Sequence, residues 1–147
     1  MIKMTIYDWM KATHITSLEF CGVDYSHIDE SFKLPMNRKS IEWSIITRQR
    51  LYCNDGFSMS VQGGFHAYSE PRKPSDFYES MEVGFPSENE KLLNMEGDVS
   101  GYVDVELLQK IVDKHGGIDI QKSLKGLTNR NVRKYLRYIK LERILKE

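Results

Sequence analysis

Apolar and polar residues alternate in several stretches between Ile41 and Phe85, the period of strands with one buried face. Ile41, Trp43 and Ile45 alternate with Glu42 and Ser44, and a second run extends from Leu51 to Cys53. Asn54-Asp55-Gly56 follows, a hairpin signal because Gly, Asn and Asp tolerate positive φ. After the turn, Phe57, Met59 and Val61 point one way and Ser58, Ser60 and Gln62 the other, until Gly63-Gly64 ends the strand. Residues 69–76, SEPRKPSD, read as a polar loop punctuated by proline. Met81, Val83 and Phe85 then alternate with Ser80, Glu82 and Gly84, and Pro86 stops the run. The pattern predicts a three-stranded antiparallel sheet whose apolar face needs helices to cover it.

Helical spacing supplies the cover. Thr5-Ile6-Tyr7-Asp8 has the form of a capped start, and Ile6, Trp9 and Met10 fall on one face of a helix over 5–13. Residues 14–40 are mixed, with His27, Asp29, Pro35 and Asn37 suggesting loop and turn. Ser87-Glu88-Asn89-Glu90 predicts the cap of a short helix through Leu92 and Leu93. Asp104 caps a stronger one, with Val105, Leu108, Ile111 and Val112 as its apolar stripe. Glu106 and Lys110 stand four apart in the favourable order, and His115-Gly116-Gly117 closes the helix. Two more helices are expected at about 118–125 and 128–140, joined by Lys125-Gly126-Leu127-Thr128. The fold class is therefore α+β: a sheet-bearing body over 1–103, then a helical, basic segment over 104–147.

In the last helix, Val132, Leu136 and Ile139 share a narrow sector with Tyr135 at its edge. Arg130, Arg133, Arg137 and Lys140 form a neighbouring stripe roughly 80° wide at ~100° per residue. The phrase LTNRNVRKYLRYIKLERIL resembles the closing segment of helix-turn-helix and winged-helix families. That resemblance implies that Thr128 starts a recognition helix, that Val132, Leu136 and Ile139 anchor it, and that Ile144 and Leu145 begin a wing strand. The sequence departs from the pattern at Arg143, where such proteins often have glycine, and has no room for a wing hairpin before Glu147. Leu141 and Leu145 would lie on a second apolar side if the helix continues. The candidate binding residues are Asn129, Arg130, Asn131, Arg133, Lys134, Arg137 and Lys140. Asn and Arg pair with base edges, whereas Lys and the remaining Arg neutralise phosphate. The competing explanation is a solvated helix whose late cations suit the helix dipole.

Composition narrows the class. Across 147 residues, 40% hydrophobic and 29% charged content are globular values, and no apolar run is long enough to cross a bilayer. The start, MIKMTIYDWMKA, carries Lys3, Asp8 and Lys11 and does not read as a secretory signal, so a reducing cytoplasm is expected. Cys21 and Cys53 are too few for a disulfide framework. The net charge of zero conceals a separation. Residues 1–120 hold 12 basic and 19 acidic residues, a net of −7, and residues 121–147 hold 9 basic and 2 acidic, a net of +7. Such asymmetry points to a charged partner, or to a tail docked on its own acidic body.

No catalytic or metal motif emerges. His14, His27, His66 and His115 lack metal-ligand spacing among themselves and with the cysteines. His115 is explained as part of a helix C-terminus. Gly63-Gly64 lacks the Gly-Lys-Ser/Thr of a phosphate loop, and nothing in the spacing of Glu79 and Glu82, on or beside a strand, suggests an acid–base pair. Tyr68, Glu70, Arg72, Lys73 and Tyr78 crowd one loop that could serve as a binding surface. The expectation is a protein that is not an enzyme and uses no cofactor or metal.

The middle of the chain, CNDGFSMSVQGGFHAYSEPR, MEVGFPSE and GYVDVELLQKIVDKHGGI over about 53–118, resembles a recurring type of small phage-encoded accessory protein of unknown function. That resemblance implies roles such as transcription regulator, host-takeover factor or anti-CRISPR-like inhibitor of host defence, working by stoichiometric binding in the host cytoplasm. The leading expectation is a binding protein that engages nucleic acid or a host nucleoprotein effector through its basic last helix. A helix-turn-helix transcription regulator, which needs a homodimer or another way to read two half-sites, is the alternative. A third reading makes the acidic body a nucleic-acid mimic that occupies a host protein's basic groove.

Overall fold

Thr5 sets the first helix. Its Oγ1 accepts a hydrogen bond from the Asp8 amide (3.1 Å), and Asp8 Oδ2 accepts one from the Thr5 amide (3.0 Å). This reciprocal cap opens α1, Ile6–Thr13, in which Ile6, Trp9 and Met10 are buried as their spacing predicts. The computed structural model describes residues 2–14, 19–20, 23–24, 48–64, 67–73, 75–127 and 129–146, with 19–20 and 23–24 described as backbone. The strand expected around Ile41, Trp43 and Ile45 lies outside the described residues, as do Cys21, His27, His66 and Thr128.

Two short strands, β1 (Glu19–Phe20) and β2 (Val23–Asp24), pair antiparallel with each other. The main sheet comprises β3 (Leu51–Tyr52), β4 (Ser58–Gln62), β5 (Ser80–Gly84) and β6 (Val99–Asp104), in the order β3-β4-β5-β6 with antiparallel neighbours. Between β3 and β4 the chain turns at Asn54-Asp55-Gly56: the Gly56 amide donates to the Cys53 carbonyl (3.1 Å), and Gly56 takes φ +97°. Leu51 opposes Met59, Val61 opposes Val83, and Met81 opposes Val103. All six are buried and form the apolar face.

The sheet differs from the expected three strands by one. β6 replaces alternation with a bulge: Gly101 and Tyr102 both face Glu82, and Tyr102 adopts φ +53°. Phe85 was expected to continue the inward side of β5. Instead it takes φ +50° and is 57% exposed, while its amide donates to the Asp98 carbonyl at the turn toward β6. The short helix expected from Ser87 through Leu93 is absent. Ser87 pairs with β4 instead, its Oγ accepting from the Ser58 amide and its amide donating to the Ser58 carbonyl. A single turn, from the Leu93 amide to the Glu90 carbonyl, takes the helix's place.

Asp104 ends β6 and caps α2, Val105–Lys114, by accepting from the Glu106 amide (3.0 Å). Val105, Leu108, Ile111 and Val112 are all buried, and Gly116 and Gly117 follow the helix in left-handed conformations. The next helix is a single turn, α3, Ile120–Ser123, capped by Asp119. The last, α4, Arg130–Lys146, is a 17-residue rod about 25 Å long at 1.5 Å per residue. One apolar cluster runs from Met4 in the N-terminal segment through both strands of the hairpin to Val132 of α4. Arg48 sits buried at its rim, donating to Thr13 Oγ1 (2.9 Å) and to the Met10 carbonyl (3.2 Å), with its guanidinium over the Tyr78 ring. Tyr78 packs so tightly that a Cβ on Gly63 would overlap its ring.

Leu108→Ala is expected to lower stability by ~2–5 kcal/mol, because it empties a fully enclosed site. Leu145→Ala, at 85% exposure, should stay within ~0.5 kcal/mol. Urea denaturation measures both, and equal costs would contradict this placement of the core.

Candidate nucleic-acid interface

The start of α4 is fixed by Asn129. Its Oδ1 accepts from the Val132 amide (3.0 Å), capping the helix, and its Nδ2 donates to the Ala12 carbonyl at the end of α1 (2.7 Å). Both polar ends of Asn129 are thus used by the fold. Val132 is fully buried, and Tyr135 and Ile139 are half-buried against the core. Burial, and then the charge of Asp8 on α1, pushes the Tyr135 phenol up. Leu136, expected as an anchor beside Val132, is 38% exposed; the packed line runs through 132, 135 and 139 instead. Ile144 and Leu145 are helical rather than the start of a wing strand. The helix preceding the last connection is one turn, shorter than the one expected over 118–125.

Arg130, Arg133, Arg137 and Lys140 are all exposed on one side of this rod. Lys134 is exposed on an adjoining sector with its Nζ 6.0 Å from the Tyr138 ring centroid, and Asn131 is half-buried. Among the described residues, none of the four stripe cations forms an ion pair with a carboxylate. The first turn contains no acidic residue, although the positive end of a helix dipole favours anions there. Arg130 and Arg133 are therefore not explained by the dipole. Lys122 and Lys125 add exposed positive charge just before α4. From 130 to 140 the stripe is about 15 Å long, a length of duplex that carries about nine phosphate charges.

A second arrangement joins residues that no local spacing connects. His115, the C-terminal cap of α2, is buried with its ring stacked on Phe57 at 4.0 Å between centroids. Its Nδ1 lies 2.6 Å from Asp55 Oδ2, and its Nε2 lies 2.5 Å from Glu90 Oε2. Glu90 is itself buried and accepts from Lys114 Nζ (2.7 Å) and the Leu92 amide (3.1 Å). Burial alone would push the His115 imidazole down, but the bonds to Glu90 and Asp55 outweigh it and hold the imidazole above its usual value. Burial likewise pushes the Glu90 carboxyl up, and the bonds from Lys114, His115 and Leu92 overcome it, holding the carboxyl at about 2. The Asp55 carboxyl is lowered by the Phe57 amide first and by His115 next. Glu88 approaches His115 Nδ1 to 3.9 Å, so Asp55, Glu88 and His115 form a group that could hold a metal ion. Residues 55, 88 and 115 come from a turn, a loop and a helix end, so only the sheet register brings them together.

Elsewhere the chemistry is quiet. Cys53 is a free, buried thiol that burial, with a smaller contribution from Asp55, pushes up to about 12. In the loop cluster, Tyr78 is core, while Tyr68 is exposed beneath the Arg72 guanidinium, 4.8 Å from the ring centroid. A cleft of about 400 Å³ opens between Ile2–Met4, Asn54, Asp113 and Gly116–Ile118. Among the described residues, no helix is long and apolar enough to cross a membrane. No protein-family model, curated protein or solved structure matches the chain. The class is thus defined by the molecule itself: an α+β protein carrying an exposed cationic helix.

The histidine clamp has a defined pH window. Glu90, at 4.5 when unfolded, contributes fully above that value, and its contribution is lost as pH falls toward 2. His115, at 6.5 when unfolded and higher when folded, contributes fully below 6.5, and its contribution is lost as pH rises through the folded value. In EDTA-containing buffer, the clamp is therefore expected to stabilise most between about 4.5 and 6.5. Replacing His115 with Gln should flatten the decline on the alkaline side in Tm measured against pH. An unchanged alkaline limb in His115→Gln would contradict the assignment.

Proposed function

We propose that this protein is a non-enzymatic nucleic-acid-binding factor that lays the Arg130–Arg133–Arg137–Lys140 stripe of α4 along phosphates. The observation that carries this reading is a row of exposed cations with no carboxylate partner among the described residues. The row begins at the end of the helix where the dipole opposes positive charge. Its length suits several phosphates of one strand, and arginine adds bidentate hydrogen bonds to the charge attraction. Lys134, Asn131 and the neighbouring lysines extend the contact, while Asn129 holds the helix in place. In the form favoured by the resemblance to phage accessory proteins, the target is a host nucleoprotein, bound stoichiometrically as an anti-CRISPR-like inhibitor binds.

A mixed-sequence duplex followed by fluorescence anisotropy tests this. Four phosphate contacts predict a slope of log K against log salt of roughly −3.6. The combined variant Arg130→Glu, Arg133→Glu, Arg137→Glu is expected to lose binding with its circular dichroism unchanged. Binding that persists in this variant, or that ignores salt, contradicts the reading. Capture of a host protein by the variant as well as by the wild type would favour the acidic body as the working surface.

One observation favours the regulator reading. Tyr138, Leu141 and Leu145 fall within about 60° on α4 and are exposed, a surface that a second copy would cover. A regulator of this kind reads two half-sites as a dimer. Light scattering should then report twice the chain mass, reverting to one chain mass in Leu141→Glu/Leu145→Glu; a wild type that stays monomeric at every concentration contradicts it.

A further inference from the structure

The geometry points to a divalent metal site formed by Asp55 in the β3–β4 turn, Glu88 in the β5–β6 loop and His115 at the end of α2. Their ligand atoms lie within 4.8 Å of one another. His115 Nδ1 is 2.6 Å from Asp55 Oδ2 and 3.9 Å from Glu88 Oε1. Donors around a tetrahedral ion with bonds of about 2.1 Å stand about 3.4 Å apart. Reaching that arrangement takes opening the first separation and closing the second, each by less than about 1 Å, and closing the Asp55–Glu88 separation, at most 4.8 Å, by up to about 1.4 Å.

The surroundings supply what a metal-binding histidine requires. Its other ring nitrogen, Nε2, bonds the buried Glu90 carboxylate at 2.5 Å, and Glu90 is held in turn by Lys114 and the Leu92 amide. Such an outer carboxylate fixes the tautomer and ring angle and directs the free nitrogen at the ion. Here that nitrogen is Nδ1, facing Asp55 and Glu88. Stacking on Phe57 fixes the ring plane. Asp55 is oriented as well, since its Oδ1 accepts from the Phe57 amide at 2.9 Å.

Charge supports the same assignment. Asp55, Glu88 and Glu90 bring three negative charges to a place where Lys114 supplies one positive charge. A proton on His115 leaves the group one charge short of balance, whereas a divalent ion beside neutral His115 closes it. A proton shared with Asp55 also gives Glu88 no role, although that side chain is 63% exposed and still reaches within 3.9 Å. One imidazole nitrogen with two carboxylate oxygens suits Zn²⁺ first and Mn²⁺ second. Three protein donors leave at least one position for water, and the bound ion would tie together the turn, the loop and the helix end.

Isothermal titration of the full chain, stripped with EDTA and dialysed, tests the site using Zn²⁺ and Mn²⁺. The expected result is saturable 1:1 binding of Zn²⁺ accompanied by a rise in Tm. Glu88→Gln, at an exposed position that should not disturb folding, is expected to weaken binding at least tenfold. Glu90→Gln, which meets His115 at the outer nitrogen and not at the proposed ion, should weaken it by roughly 10–100-fold. Glu96→Gln, at an exposed carboxylate outside the cluster, should leave binding unchanged. Absence of 1:1 binding by both ions, or equal affinity in wild type and Glu88→Gln, overturns the proposal.

Discussion

The placement of the cationic helix depends on one bonded junction: Asn129 joining the start of α4 to the end of α1. One side chain caps the helix through Val132 and grips the Ala12 carbonyl, while Val132 fills the core beneath it. Because this anchor lies at the first turn, it fixes the direction in which the rod leaves the body. Among the described residues, Tyr135 and Ile139 pack the later turns against the core, and the cations of the stripe remain exposed. An interior carboxylate paired with the stripe would have neutralised it, and no ion pair among the described residues involves Arg130, Arg133, Arg137 or Lys140. Asn129, Val132, Tyr135 and Ile139 thus fasten the basic helix while its cationic stripe stays exposed.

The histidine junction does comparable work at the other end of the sheet. β6 delivers the chain into α2 through Asp104, which is both the last strand residue and the helix cap. At the far end of α2, His115 meets the β3–β4 turn and the β5–β6 loop. Backbone bonds reinforce the meeting: the Asn54 amide donates to the Gly117 carbonyl and the Asp55 amide to the His115 carbonyl. Three segments distant in sequence are thus drawn onto one imidazole.

Much of the fold was legible because apolar period and cap chemistry agree locally. Thr5 with Asp8, the turn at residues 54–56, the inward row of Phe57, Met59 and Val61, and the Asp104-capped α2 stripe stand where the pattern placed them. β6 was not legible, since its bulge at Gly101 and Tyr102 breaks the alternation and Val103 is its one buried position. Phe85 and Ser87 were misread for a related reason. Both satisfied a local rule, but tertiary hydrogen bonding to Asp98 and Ser58 overrode it. In α4 the cation stripe could be read from period alone, yet the packed line turned out to pass through Tyr135 instead of Leu136 because α1 approaches from that side. The Asp55–Glu88–His115 group had no sequence signal at all, for its members meet only once the sheet has formed.

Binding of polyanions by the α4 stripe is tested most directly by an amide NMR titration of the full chain with a mixed-sequence duplex at low and high salt. Shifts are expected to concentrate in residues 130–140 and to vanish at high salt, with the sheet undisturbed. Shifts confined to the acidic body, or none in α4 at saturating duplex, would contradict it.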